Sequence, residues 1–155
     1  MKQPILWIHG EALGPANPAL LAHPGRPAVF VFDEALLAGE SPTTHDPAAT
    51  QPQPVSLKRI AFLYECLLEL PVSLRRGDVA AEVLQFARAH GADGIVTSAA
   101  IDPRMLAIAH QLEAALPLQV LPVEPFVALS DPVDLRRFSR YWRQAEPRVW
   151  DHWSS

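Results

Sequence analysis

The residues with reactive side chains are few, and they cluster where apolar runs end. His9, Gly10 and Glu11 follow directly on "ILWI". An imidazole and a carboxylate two positions apart on a loop form an acid/base pair in principle; turn and surface groups are the plainer reading. Asp33 and Glu34 close the run "AVFVF", and Thr97 and Ser98 close "GIVTS". Asp102 stands before Pro103, where it reads as a helix cap, with Ser98 as a strand end. Cys66 is the one cysteine; it lies in an apolar helical pattern and reads as a core residue rather than a nucleophile. The six histidines show no metal-ligand spacing with one another or with Cys66.

The motifs that cradle phosphate or build a nucleophile elbow are missing. No G-x-G-x-x-G follows the first apolar run, and there is no G-x-x-x-x-G-K-[ST] and no G-x-S-x-G. The loop "HGEALG" matches neither the H-x-G-H nor the S-G-G-x-D-S loop of adenylylating enzymes.

Composition sets the outer limits. The 155 residues suit one ordinary domain, and 49% hydrophobic content suffices for a core. The net charge of -4 argues against whole-surface nucleic-acid binding. A single cysteine excludes an internal disulfide and fits a reducing, cytoplasmic setting. No apolar run approaches a membrane span, and "MKQP" does not open a signal peptide.

The elements that must position the reactive residues alternate. Ile5–Ile8 and Ala28–Phe32 are continuous apolar runs, as strands buried on both faces should be. Asn17-Pro18 starts a short helix through His23, Asn as N-cap and Pro at the first turn. Residues 38–55 are polar and Pro-rich, a composition that favours disorder. Ser56 caps "LKRIAFLYECLLEL", in which Leu57, Ile60, Leu63, Tyr64, Leu67 and Leu68 read as one apolar face. A short strand "PVSLR" follows. Asp78 caps "VAAEVLQFARAH", and Gly91 is its stop. "GIVTSA", a helix from Asp102-Pro103, the strand "LQVLPV" and a helix from Asp131-Pro132 to Glu146 complete the chain. This alternation predicts an α/β, Rossmann-like three-layer sandwich with a five-stranded parallel sheet in the order 3-2-1-4-5. The expected division is 1–130 for that domain and 131–155 for a C-terminal amphipathic helix and tail. In such sheets ligands bind at the carboxyl ends of strands where the order reverses. That puts the expected crevice between strands 1 and 4, lined by His9, Gly10, Glu11, Thr97, Ser98 and Asp102, with Asp33 and Glu34 beside them.

Five stretches, in order, resemble the N-terminal α/β domain of DNA photolyases and cryptochromes. "ILWIHGEALGPANPAL" is similar to that family's opening, apolar residues followed by "WFRRDLRLHDNPAL"; Trp7 and Asn17-Pro18-Ala19-Leu20 align without a gap. "PAVFVFDEALL" resembles "VFVFDPALL", and "LKRIAFLYECLLEL" resembles "RRAFLLESLRDL". "RRGDVAAEVLQFARAHGADGIVTS" resembles "RGDPAEVLPELARELGADAVYAN", and "FSRYWRQ" resembles "FTPFWR". The departures are specific. His9-Gly10-Glu11-Ala12-Leu13 replaces the family's RRDLR, and Ser98–Pro103 replaces its N-x-x-Y-E-P segment. Ala100 or Ile101 falls where folate-antenna members carry the acidic residue that holds the pterin. The resemblance implies a stand-alone, degenerate copy of the antenna domain without the FAD domain, not catalytic alone. It also implies a deazaflavin, flavin or folate-type antenna as ligand, or docking to a helical flavin-binding subunit.

The last helix offers a second surface. With Leu135 as origin, Phe138 and Trp142 share its side, while Arg136, Arg137, Arg140 and Arg143 lie opposite. Either this stripe docks on its own domain, or Arg136, Arg140, Tyr141, Trp142, Arg143 and Trp150 meet a flavoprotein, a second copy or an acidic surface. Two rivals stay open. One is a nucleotide-binding protein resembling universal stress proteins, although their Gly-rich stretch after strand 4 is missing. The other is an interaction module with no ligand.

Overall fold

The structure, a computed structural model, describes residues 1–38, 55–125, 127, 129 and 136–153, of which residues 151–153 are described by backbone alone. It has two compact units, Met1–Val123 and Glu124–Ser155. In the first, five strands form one sheet: β1 (Ile5–Ile8), β2 (Ala28–Asp33), β3 (Ser73–Gly77), β4 (Ile95–Ser98) and β5 (Leu118–Leu121). Their order is β3-β2-β1-β4-β5, and every neighbouring pair is parallel. This is the Rossmann-like architecture and strand order that the alternation predicts.

The connections are the helices α1 (Pro18–Ala22), α2 (Glu34–Ala38), α3 (Leu57–Leu68), α4 (Val79–Ala89) and α5 (Pro103–Glu113). Side chains along a strand alternate between faces, so the central strands feed two cores. Ile5, Trp7, Val29, Val31 and Ile95 pack with Val83 and Phe86 of α4 and with Ile108 and Leu112 of α5. Leu6, Ile8, Phe30 and Val96 pack on the other face with Ala19 of α1 and Leu67 of α3.

The caps form as the sequence predicts. The Asn17 side chain accepts the Ala19 and Leu20 N–H groups at 2.8 and 3.2 Å, and its amide donates to the Ala12 carbonyl at 2.7 Å. One residue thus starts α1 and fastens the loop that follows β1. Ser56, Asp78 and Asp102 cap α3, α4 and α5. At the end of α4, Gly91 takes φ +60°; its N–H reaches Arg88 O, and the Ala92 N–H reaches Ala87 O, the paired bonds of a Schellman stop.

Three readings need correction. The five-residue helix α2 was not expected; it is started by Asp33, whose Oδ1 accepts the Leu36 N–H at 3.3 Å. The single apolar face of α3 is in fact two. Leu67 is buried and Ile60 and Leu63 are half-buried, whereas Leu57, Tyr64 and Leu68 are exposed. A twelve-residue helix over a sheet edge can cover only one stripe, and its apolar positions wrap too far round to fit beneath it. The loop at 39–54 and the helix start at Asp131, with Leu135, lie outside the described residues. In the second unit, α6 (Phe138–Trp153) runs through Pro147 instead of ending at Glu146. Arg136 and Arg137 precede α6 in a turn.

Candidate functional site

The polar residues at the carboxyl ends of β1 and β4 meet one another. His9 is buried, 3% exposed. Its Nε2 lies 3.0 Å from the Ser98 carbonyl oxygen and 3.2 Å from Ser98 Oγ. Its Nδ1 accepts the Glu11 N–H at 3.4 Å, so the network assigns the ring proton to Nε2, which donates to Ser98 O. The Thr97 hydroxyl donates to the Trp7 carbonyl at 2.8 Å and ties β4 to β1. The Glu11 carboxylate spans the crevice: Oε2 accepts the Ile101 N–H at 2.8 Å and Oε1 the Asp102 N–H at 3.0 Å. Asp102 Oδ1 accepts the Arg104 N–H.

A second set lies over β2. Arg104 Nε donates to Asp33 Oδ2 at 2.6 Å, and a second guanidinium nitrogen contacts the same oxygen. Glu34 points outward and pairs with Arg76 of β3 at 2.7 Å, on the exposed side. Among the described residues no buried side-chain nitrogen or oxygen lacks a hydrogen-bond partner.

These contacts decide what the crevice can do. The His9–Ser98 pair has the elements of a nucleophile and base, but the geometry is structural. Ser98 is 1% exposed, Nε2 is shared with a backbone carbonyl, and Nδ1 faces an N–H where an orienting carboxylate would be needed. Glu11 and Asp102 are bound to backbone amides, so neither is poised to move a proton. The crevice between β1 and β4 is a closed hydrogen-bond lattice.

Open space lies on the other side of β1. A cavity of about 170 Å³ sits at the carboxyl ends of β1 and β2, beneath α2 and α3. Trp7, Phe30, Phe32, Leu36, Ile60 and Leu63 give it an apolar, aromatic wall. His9, Glu11, Asp33, Arg59 and Asp102 contribute the polar part of the lining. Of the residues singled out in the sequence, His9, Gly10, Glu11, Asp33 and Asp102 line this cavity; Glu34, Thr97 and Ser98 do not. The open space therefore lies on the β2 side of β1, whereas the expected crevice was the one between β1 and β4. The loops of β1 and β4 bond to each other and fill the predicted crevice, while α3 stands off β2. Arg59, Ile60 and Leu63 were missed as lining. Ser56 as a cap was the available signal, because it fixes which residues form the first turns of α3 over the strand ends. Arg59 is exposed, and among the described residues its guanidinium makes no ion pair.

In the second unit, Arg140, Tyr141, Trp142, Arg143 and Trp150 lie on α6, and Arg136 in the turn before it. Phe138 stacks on Trp142 with ring centroids 5.9 Å apart and lies 6.2 Å from Tyr141, an aromatic cluster at helical spacing. Trp150 is 54% exposed.

Among the described residues, no cluster of three or more His, Cys, Asp or Glu could hold a metal ion. No described helix is long and apolar enough to cross a membrane. No protein-family model matches the chain, and no curated protein matches it.

Proposed function

We propose that this chain is a carrier of a planar aromatic molecule with an anionic group, a photolyase/cryptochrome-like α/β domain that does no chemistry of its own at this site. The cavity at the ends of β1 and β2 carries the proposal. Its aromatic and aliphatic wall suits the faces of a fused ring, and Arg59 at its side suits a phosphate or carboxylate. Pockets that swallow a drug-sized ligand run to roughly 300–1,000 Å³, so a cavity of about 170 Å³ takes the ring and leaves the rest outside. A deazaflavin or flavin fits that description, as does an adenine nucleotide. The quoted sequence stretches favour the former. Docking of the carrier to a helical flavoprotein is assigned to α6, through Tyr141, Trp142, Arg143 and Trp150.

One observation favours the rival, an interaction module with no ligand: His9, Glu11, Thr97, Ser98 and Asp102 in the β1–β4 crevice all bond to partners within the chain. The experiment that separates the two is an absorbance and mass spectrum of protein from its native host, followed by titration with flavin mononucleotide and with AMP. The carrier reading expects a released small molecule, or binding by one of the two probes that Leu63→Trp abolishes and Arg59→Glu weakens. No released molecule together with no binding of either probe below about 1 mM, some 4 kcal/mol of affinity, overturns it.

A further inference from the structure

α3 carries a second apolar stripe that the sheet does not use. Leu57, Ala61, Tyr64 and Leu68 recur at helical spacing along its outer side. Leu57 is 82% exposed, Leu68 64% and Tyr64 48%. Phe62, on the neighbouring flank, is 63% exposed. An apolar groove lined by Phe32, Leu37, Leu57, Ile60 and Tyr64 runs beside the stripe.

Single exposed apolar residues are ordinary, but four in one helical row are not. The order of this row is itself informative. Leu57 and Leu68, and likewise Ala61 and Tyr64, are equidistant from the midpoint between Phe62 and Leu63. An antiparallel copy of α3, related by a two-fold axis at that midpoint, therefore lays Leu57 on Leu68 and Ala61 on Tyr64, and does so twice. The small side chain of Ala61 leaves room for the tyrosine ring.

The charges choose the same arrangement. Lys58, Glu65 and Glu69 are exposed on one flank of the stripe. In an antiparallel pair, a flank faces the same flank of its mate. Lys58 of one copy then falls within a turn of Glu65 and Glu69 of the other, and the reciprocal contact repeats across the axis. A parallel pair would set this flank against the opposite flank of the mate, so Lys58 would meet neither Glu65 nor Glu69.

We propose that the outer stripe of α3 is a homodimer interface, in which a second copy of this chain binds antiparallel about a two-fold axis between Phe62 and Leu63. A single twelve-residue helix with its neighbouring groove buries less than a standard interface. The dimer therefore belongs to the small, weak class, below about 1,200 Å² in total, and is expected at micromolar to tens of micromolar concentration. The proposal does not rest on the ligand reading, since Leu57, Ala61, Tyr64 and Leu68 do not line the cavity.

Sedimentation velocity of the full chain from about 5 to 500 μM tests it; that span brackets the weak class of interface. Wild type is expected to pass from monomer to dimer. Leu57→Glu/Leu68→Glu, two exposed positions, is expected to stay monomeric with an unchanged circular-dichroism spectrum. Lys58→Glu should weaken the dimer about tenfold by turning rim attractions into repulsions. The triple variant Lys58→Glu/Glu65→Lys/Glu69→Lys should restore it, because both sides of every pair reverse together. A wild type monomeric throughout, a dimer indifferent to Leu57→Glu/Leu68→Glu, or a triple variant no better than Lys58→Glu overturns the proposal.

Discussion

The ion pair between Asp33 and Arg104 ties the end of β2 to the first turn of α5, 71 residues later in the chain. Its side chains are only 7% and 19% exposed. Removing one partner leaves the other charge buried, which in buried pairs costs roughly 3–5 kcal/mol. Arg104 keeps some contact with water, so about 3 kcal/mol is expected for Asp33→Leu, the lower end of that range. Asp33→Leu also frees the Leu36 N–H and so loses the cap of α2, about 1 kcal/mol more. Arg104→Met leaves a carboxylate stranded and should cost about the same 3 kcal/mol. The double variant discriminates. With both charges gone, neither is stranded, and the two losses should fall short of additivity by about 2 kcal/mol. Urea unfolding at pH 7 of the four proteins measures this, with a constant denaturant slope as the check that only stability has changed. In a domain of this size each kcal/mol is worth about 2–4 °C, so Arg104→Met should melt roughly 6–12 °C lower and Asp33→Leu roughly 8–16 °C lower. Single losses below about 1 kcal/mol with additivity inside 0.5 kcal/mol would refute the reasoning.

Other expectations follow from single contacts. Glu11→Ala removes the carboxylate that accepts the Ile101 and Asp102 amides; it should cost about 1 kcal/mol and raise exchange of those two amides several-fold, as an exposed, charge-assisted contact does. Unchanged exchange at both amides would show that Glu11 does not fasten this loop. Asp93 accepts the Lys2 N–H at 2.5 Å and the Gln3 N–H at 2.9 Å, and these bonds, Lys2's foremost, hold its carboxyl below its ordinary value of 3.8. Because the folded value is the lower one, the stabilisation is present above the ordinary value and is lost as pH falls through the folded value. Carboxyl titration by NMR should show Asp93 below 3.8, and Asp93→Asn should remove that share of the acid dependence; a value at or above 3.8 contradicts it. At Gly94 an added methyl would lie 2.9 Å from the Pro117 carbonyl and overlap the Met1 thioether. Met1 can move, but the backbone oxygen cannot, so Gly94→Ala should cost about 1–3 kcal/mol by thermal melting; a neutral result would show that the β4–β5 connection yields.

Much of this fold was legible because its signals are local. Asn17, Ser56, Asp78 and Asp102 each stand immediately before an apolar-periodic run, and a cap bonds to amides only two or three residues ahead. The parallel sheet followed from the alternation of strands and helices, which needs no knowledge of side-chain contacts, and its order is the 3-2-1-4-5 expected of such a domain. The site was legible only as a neighbourhood. The sequence offered His9 with Glu11 and Ser98 with Asp102, neighbours along the chain; the fold re-pairs them as His9 with Ser98, and Glu11 with the amide of Asp102. That exchange depends on the register that sets Leu6 beside Val96 and brings the two loops level. Local spacing holds no trace of it.

α3 fails for a different reason, and the failure joins the site to the surface. A helical period tells which residues are apolar neighbours, not which stripe the sheet will take when apolar residues wrap round most of the helix. Ile60, Leu63 and Leu67 turn inward, and only Leu67 reaches the core, so α3 covers β2 without filling the space beneath it. Leu57, Tyr64 and Leu68 turn outward and are exposed, with no described residue packed over them. The cavity and the exposed stripe are thus two sides of one loosely seated helix. A ligand ring under α3 and a second copy over it would each add packing that the isolated domain lacks. Both would stabilise the same element, so ligand and dimer should each tighten the other if both form. Adding the bound ring compound should then shift the monomer–dimer midpoint to lower protein concentration. A midpoint that does not move would show that the two sides of α3 are independent.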